Sequence, residues 1–297
     1  EVSPMFGEMI GRFVSHERDR VGEPFVLAEV GAGSGSLLRP LLDQLEVEAW
    51  AVDASPPSRA ALRLLLPSDR VVSDFEQLPA PFRGVIVCNE LVDNLPMALA
   101  TRQREDWRER WVDEDGGRLV FVDAPARPEV RDWLDLYAGP VEEEGWVEVQ
   151  LAAGKWLEQA LASITSGAVL VIDYGDTADG LLPRRRDGTL RTYRSHHLGP
   201  HPLDQPGATD ITADVNFTAL ESVATAAGAE VELSRQDDFL VDLGLRKRLS
   251  ELRKAQFDLA QSGDEEARLL ARSQIVEAET LLHPRGLGDF RVLVARK

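Results

Sequence analysis

Cysteine is almost absent from this chain. Cys88 is the single one in 297 residues, so no disulfide can form within the chain and no cysteine-rich metal site can be built, which suits a reducing compartment. Basic residues are also scarce: 33 Lys and Arg stand against 51 Asp and Glu, a formal net charge of −18. A surface of that sign repels a phosphate backbone, which argues against a nucleic-acid substrate and favours a basic partner. No apolar run approaches the roughly 18 residues of a membrane span. The chain begins Glu1-Val2-Ser3-Pro4 and not with Met; the expected location is cytoplasmic for a bacterial-type protein, or mitochondrial where a targeting segment has been removed. The oligomeric state is left open.

What the chain does have is a globular composition, 43% hydrophobic and 28% charged, and a glycine-rich turn. Leu27-Ala28-Glu29-Val30 reads as a short apolar strand carrying an acid near its end, running into Gly31-Ala32-Gly33-Ser34-Gly35 and a helix from about Ser36. Glycine admits positive φ and keeps no Cβ in the way of a ligand. The dinucleotide fingerprint sets its third glycine one residue later, where Ser36 stands, and this disfavours a nicotinamide-dependent oxidoreductase. An acid ahead of such a turn suits S-adenosylmethionine, with the Glu29 carboxylate facing the cationic amino-acid end. A glycine turn without a ligand is the alternative.

Downstream, Met5, Phe6, Met9, Ile10 and Phe13 having already predicted an amphipathic first helix, the strand Ala49 to Val52 ends at Asp53, 18 residues beyond Gly35. An acid there is placed to accept hydrogen bonds from ribose hydroxyls, with Ala54 beside it. Capping the helix after Ser55-Pro56-Pro57 is a second role compatible with the first. A third strand leads to Ser73-Asp74-Phe75. Ligands of open α/β sheets sit beyond the carboxyl ends of the strands, so Asp74 is a candidate for the adenine amino group and Phe75 for its ring; a polar turn and a core aromatic fit equally. The fourth strand, Gly84 to Cys88, is apolar throughout, as in a strand buried on both faces. It ends in Asn89-Glu90-Leu91-Val92-Asp93-Asn94, and Asn89, Glu90 and Asp93 become candidate catalytic residues, Asn89 also on the cofactor side. Capping is the plainer role for the acids.

Beyond residue 96 the pattern changes. Trp107 to Val112 and Leu119 to Val122 flank Asp113-Glu114-Asp115-Gly116-Gly117 and predict a hairpin. Short helices follow, and then a buried strand, Gly167 to Asp173, closed by Tyr174-Gly175. Residues 176–215 are polar and hold Arg184-Arg185-Arg186, Tyr193, Arg194, His196, His197 and His201. A loop of that length is functional or mobile. Without further ligands at suitable spacing, the paired histidines predict no metal site. Asn216 looks like the N-cap of a helix that Gly228 ends. The charged, periodic stretch 245–282 predicts one or two surface helices, and Phe290 to Ala295 a final strand. The whole reads as a single α/β domain over 1–297, Rossmann-like: a doubly wound, mostly parallel sheet with an antiparallel edge strand, insertions at about 97–165 and 176–215, and a helical segment at about 245–282.

Several of these stretches together resemble a known family. Glu29-Val30-Gly31-Ala32-Gly33-Ser34-Gly35, Val52-Asp53-Ala54-Ser55-Pro56, Asn89-Glu90 with Asp93 and Leu95-Pro96, Trp107-Arg108-Glu109, Val171-Ile172-Asp173-Tyr174-Gly175, Gly188-Thr189-Leu190-Arg191 with Tyr193-Arg194, and Asp210-Ile211-Thr212-Ala213 occur in that order. The set is similar to the MidA-type S-adenosylmethionine-dependent methyltransferases, relatives of the mitochondrial complex I assembly methyltransferase, and the likeness covers nearly the whole chain. It implies a class I methyltransferase fold, S-adenosylmethionine as cofactor and, for the mitochondrial relative, methylation of an arginine on a respiratory-complex subunit. The expected function is methyl transfer to a nitrogen of a basic or arginine-bearing protein. Glu90 and Asp93 are then the candidates to orient a guanidinium and take its proton. Asp173 and Tyr174 lie beside that site, and Tyr193, Arg194 and His196 form a lid or partner-binding surface. A cofactor-binding assembly factor or structural protein without turnover is the alternative.

Overall fold

Local sequence accounts for the first helix, Pro4–Val21 (α1), almost completely. In the computed structural model, which describes residues 3–297 except 105, 195, 196 and 263, Ser3 Oγ accepts from Phe6 N at 3.2 Å. Pro4 takes the first helical position, where no N–H is required, and Gly22 N–H closes the last turn on Arg18 O. Met5, Phe6, Met9, Ile10, Phe13 and Val14 fall on one face and are all buried, each side chain contributing about 1.5–3 kcal/mol.

The chain forms two compact units. The first comprises Glu1–Asn89, Ala160–Ile172 and Gly228–Lys297, the second Glu90–Gln159 and Asp173–Ala227.

The first unit is built on a seven-stranded sheet of Val26–Val30 (β1), Glu48–Val52 (β2), Val71–Val72 (β3), Phe82–Asn89 (β4), Ile164–Asp173 (β5), Glu230–Arg235 (β6) and Arg291–Arg296 (β7), in the order β6-β7-β5-β4-β1-β2-β3. β1 pairs in parallel with β2 and β4, β2 with β3, and β4 with β5. β7 is antiparallel to β6, and Gly167 and Lys297 exchange both backbone hydrogen bonds, at 3.0 and 2.9 Å, as an antiparallel pair does. The final strand is thus the antiparallel one, and it lies one place in from the edge, between β5 and β6. β1 and most of β4 and β5 are continuously buried, which explains their unbroken apolar runs. Leu27, Val85, Val87, Leu170 and Val294 share one buried cluster with Met9, Phe13 and Leu240. Helices Leu245–Ser262 and Glu265–Leu281 pack on each other. Strand order reverses between β1 and β4, and in such sheets ligands bind beyond the carboxyl ends of the strands at that point.

The second unit holds a four-stranded antiparallel sheet of Arg118–Pro125, Asp106–Asp115, Ala98–Gln103 and Trp146–Val149, in that order. Its hairpin is longer than the apolar pattern predicts. The strands pair through the acids as far as Asp115 and Arg118, leaving Gly116-Gly117 as a two-residue loop with φ of +58° and +81°, a backbone that matches the strand twist and that glycine adopts freely. Trp107, Trp133, Leu134, Val147 and Val149 form its core. The stretch 176–215 is organised by short pairings rather than open. Arg191–Arg194 pairs with His197–Leu198 and Asp210–Thr212, and Gly175–Asp176 pairs in parallel with Val215–Asn216. Asn216 Oδ1 accepts from Ala219 N at 3.3 Å and caps the helix Phe217–Ala226. Among the described residues, no helix is long and apolar enough to cross a membrane.

Candidate cofactor and acceptor sites

Glu29, in β1, is 4% exposed, and its Oε2 has no hydrogen-bond partner. Desolvation, with the charge of Asp53 adding to it, pushes this carboxyl up to about 8. A buried carboxylate oxygen without a donor is costly, and a cationic ligand group would supply both the donor and the compensating charge. The amino end of S-adenosylmethionine fits that requirement.

The turn that follows is braced from the neighbouring strand. Gly31 and Ala32 donate their N–H groups to Val52 O at 2.9 and 3.2 Å, and Gly33 donates to Asp53 Oδ2 at 2.8 Å. Gly33 has φ +53° and a Cβ there would meet nothing within 4 Å; Gly35 has φ +82° and a Cβ would come within 2.5 Å of Leu65 Cδ1. Gly33 therefore borders open space, while Gly35 allows close packing. Asp53 Oδ1 accepts from Ser55 N at 2.8 Å, whereas the cap of the helix Pro56–Leu62 is Ser55, whose Oγ accepts from Ser58 N. Ala54 beside them is exposed. Asp74 is exposed and caps the turn Phe75–Gln77, its Oδ1 accepting from Glu76 N at 3.1 Å, with Phe75 half-buried. Asn89, half-buried, ends β4 opposite Ile172. Glu29, the three glycines and Asp53 are thus gathered at the ends of β1 and β2, with Asp74 and Asn89 at the ends of β3 and β4.

In the second unit, Glu90 has φ +52°, a left-handed backbone that costs a non-glycine residue energy and that clusters at functional sites. The turn after it is docked on Asp173. Val92 N and Asp93 N donate to Asp173 Oδ2 at 2.9 and 3.2 Å, and Tyr174 N donates to Oδ1 at 3.0 Å. Despite these three donors, burial and the nearby charge of Asp93 hold the Asp173 carboxyl well above its ordinary value. Asp93 is 1% exposed; its Oδ1 accepts from Asn94 Nδ2 at 2.7 Å and its Oδ2 accepts the Tyr174 hydroxyl. Burial pushes Asp93 up to about 6, opposed by the Tyr174 hydroxyl and Asn94 and assisted by the charge of Glu90. Burial and the bond to Asp93 raise the Tyr174 hydroxyl, which keeps it a donor. Three carboxyls and a phenol in one cluster can orient a cation and accept a proton from it.

The stretch 210–216, two short strands with Ala213 and Asp214 between them, supports this cluster, and its Asp214 is not among the residues the motifs single out. Ala213 N donates to Asp93 O at 3.1 Å and Val215 N to Tyr174 O at 3.0 Å. Between them Asp214, 4% exposed, pairs with Arg184 and, at 2.9 Å, with Arg191. Desolvation lowers the pKa of Arg191, but the hydrogen bond to Asp214 and its charge outweigh this and hold the guanidinium above its ordinary value. Arg194 instead holds the loop 205–209, donating to Gln205 Oε1 at 2.6 Å, Thr209 Oγ1 at 3.2 Å and Ala208 O at 3.3 Å. His196 lies outside the described residues. The signal for Asp214 was its place directly after the motif Asp210-Ile211-Thr212-Ala213.

A family model described as "Putative S-adenosyl-L-methionine-dependent methyltransferase" matches residues 9–234, a span that includes the glycine turn, Asn89 to Asp93 and Asp173-Tyr174. The chain belongs to this family, the MidA-type methyltransferases. The methyltransferase is similar to a Burkholderia thailandensis protein whose crystal structure contains S-adenosyl-homocysteine, with a TM-score of 0.84 and 31% identity over 100% of this chain and 77% of that one. It is also similar to the mitochondrial protein arginine methyltransferase NDUFAF7. The Xenopus tropicalis protein is 26% identical in an alignment that covers 88% of this chain and 67% of that one; the Homo sapiens protein is 26% identical with coverages of 97% and 70%. The fold of the methyltransferase is class I and its cofactor is S-adenosylmethionine.

Proposed function

We propose that this methyltransferase N-methylates a protein, at an arginine side chain, with Glu90, Asp93, Asp173 and Tyr174 forming the acceptor site. The observation that carries the reading is the carboxyl cluster around Tyr174, in which Asp173 is held by backbone donors and Asp93 by the Tyr174 hydroxyl and Asn94, a set chemically suited to a guanidinium. The name of the NDUFAF7 relatives supports the same acceptor.

Bound S-adenosylmethionine supplies an activated methyl on a sulfonium, so the work left to the protein is alignment and proton transfer. Glu29, Gly31, Gly33, Gly35, Asp53, Ala54, Asp74, Phe75 and Asn89 are the residues proposed to hold it. A guanidinium stays protonated at neutral pH, its pKa lying above about 12. Glu90 would orient it through paired N–H···O bonds, and Asp93 would take the proton that the nitrogen loses as its bond to the methyl carbon forms and that carbon's bond to the sulfonium sulfur breaks, leaving a neutral thioether. Tyr174 fixes the Asp93 carboxylate in position, and Asp173 fixes the turn that carries it. Tyr193, beside Arg191, borders the acceptor, and the whole chain acts as one methyltransferase domain whose insertions at about 97–165 and 176–215 serve acceptor binding.

The test is transfer of isotope-labelled methyl groups from S-adenosylmethionine to proteins of a native lysate, followed by mass spectrometry of the labelled residue. Label on arginine is the expected result. Label on another nitrogen would correct the acceptor, and cofactor binding without protein labelling would overturn the reading.

A further inference from the structure

A groove of about 560 Å³ crosses the second unit, walled by the helices Pro128–Tyr137, Leu151–Ser163 and Phe217–Ala226. Trp133, Tyr137, Leu151, Leu220 and Val223 make its apolar lining. At its mouth Leu136 is 70% exposed, a large apolar side chain offered to solvent. Two hydrogen bonds tie the first wall to the third, from the Tyr137 hydroxyl to Ser222 Oγ and from Asn216 Nδ2 to Tyr137 O, both 3.0 Å, so the walls are held apart at a set width. The groove is acidic at its rim by about one charge: Asp132 and Glu158 stand there with Lys155, and Glu129 is paired with Arg127 at 3.1 Å.

The groove is also joined to the acceptor cluster. Asn216, at its inner end, lies on the strand that pairs with Gly175–Asp176, and Val215 N donates to Tyr174 O. One strand therefore supports both.

We propose that this groove docks a basic, apolar segment of the acceptor protein, away from the residue that is methylated. The proposal rests on the protein-methylation reading. An apolar side chain of the segment enters between the helices, in the manner of a side chain anchored in a helical groove, while flanking arginine or lysine residues meet the acidic rim. Charge complementarity selects the occupant: a basic partner is attracted, and an acidic one is repelled both by the rim and by a chain of net charge −18.

The experiment is fluorescence anisotropy of the full chain with a dye-labelled peptide of alternating leucine and arginine, and with its leucine and glutamate counterpart. The arginine peptide should bind, and the glutamate peptide at least about tenfold more weakly. Leu136→Asp, and separately Asp132→Lys with Glu158→Lys, should each weaken the arginine peptide about tenfold or more with the circular-dichroism melt unchanged, because all three side chains are exposed. The control is Glu265→Lys with Glu266→Lys, the same charge change on exposed residues outside the groove, which should leave affinity within about twofold. Equal weakening by the control pair would mean non-specific attraction and would overturn the proposal. So would equal binding of the two peptides, or groove variants that alter sedimentation of the chain alone while leaving the peptide bound, which would make the groove a contact between copies. Because anisotropy does not require turnover, peptide binding without methyl labelling would sink the function and keep the groove, and labelling without peptide binding the reverse.

Discussion

Gly33 and Asp53 are joined by a 2.8 Å hydrogen bond from the glycine N–H to the aspartate Oδ2, across the tips of two adjacent parallel strands. The acid is therefore part of the glycine turn as well as a candidate ligand for ribose. Each of its oxygens accepts one backbone N–H, from Gly33 and from Ser55, and a carboxylate oxygen can accept a second donor. Asp53→Ala should cost S-adenosylmethionine affinity about tenfold or more, read by calorimetry, and Asp53→Asn less, since it keeps one acceptor. Unchanged affinity in the alanine variant would remove Asp53 from the ribose role.

The two glycines on either side of Ser34 should respond differently to alanine. At Gly33 the new methyl meets open space and the left-handed backbone costs about 1–2 kcal/mol, so the variant should fold and bind cofactor poorly. At Gly35 the methyl would come within 2.5 Å of Leu65 Cδ1, which adds packing strain of about 1–3 kcal/mol to the backbone cost. Urea unfolding and calorimetry on the two variants separate ligand contact from packing; a Gly33→Ala protein that binds like wild type would show that no ligand approaches there.

Tyr174→Phe deletes the hydroxyl that stabilises the Asp93 carboxylate. The Asp93 pKa should then rise further above about 6, moving the acid limb of the rate profile to higher pH. Activity at pH 7 should fall about tenfold or more if Asp93 is the base. A rate profile that does not move would exclude Asp93 from proton transfer.

Glu29 gives the stability of the cofactor-free protein a definite pH dependence. Its pKa is 4.5 ordinarily and about 8 in the fold, so between those values the folded chain keeps a proton that the unfolded chain has released. Stability therefore falls as pH rises through that window, by roughly 3 kcal/mol at pH 7. Asp93 and Asp173, also raised, add slopes of the same sign. Glu29→Gln should retain those slopes, lose its own, and be more stable than wild type toward pH 8 in urea unfolding. Binding of S-adenosylmethionine to the wild type at pH 7 should release a proton, detectable by calorimetry in buffers of different ionisation enthalpy; the glutamine variant should release none from this site.

Much of the glycine turn and its bracing by Asp53 was legible because the signals are short-range. A strand, three alternate glycines and an acid 18 residues on are close in sequence, and in a βαβ unit closeness in sequence becomes closeness in space. The hairpin was legible for the same reason, although its length was not: Gly116-Gly117 set the loop, and the acids before it paired as strand because the register continued through them. Arg194 and Asp214 could not be sorted by type. Both are polar residues in a long polar stretch, yet one holds a loop and the other anchors two arginines beside Tyr174.

The amino-acid sequence by itself determined the elements of this methyltransferase, its glycine turn and the acids that end its strands, since propensity, capping and strand periodicity act over a few residues. Only the tertiary structure decided that Asp93 and Asp173, 80 positions apart, share a buried site with Tyr174, and that Glu29 keeps an oxygen without a donor. Burial and charge coupling depend on which strands become neighbours in the sheet, and it is these that raise the Glu29, Asp93 and Asp173 carboxyls above their ordinary values.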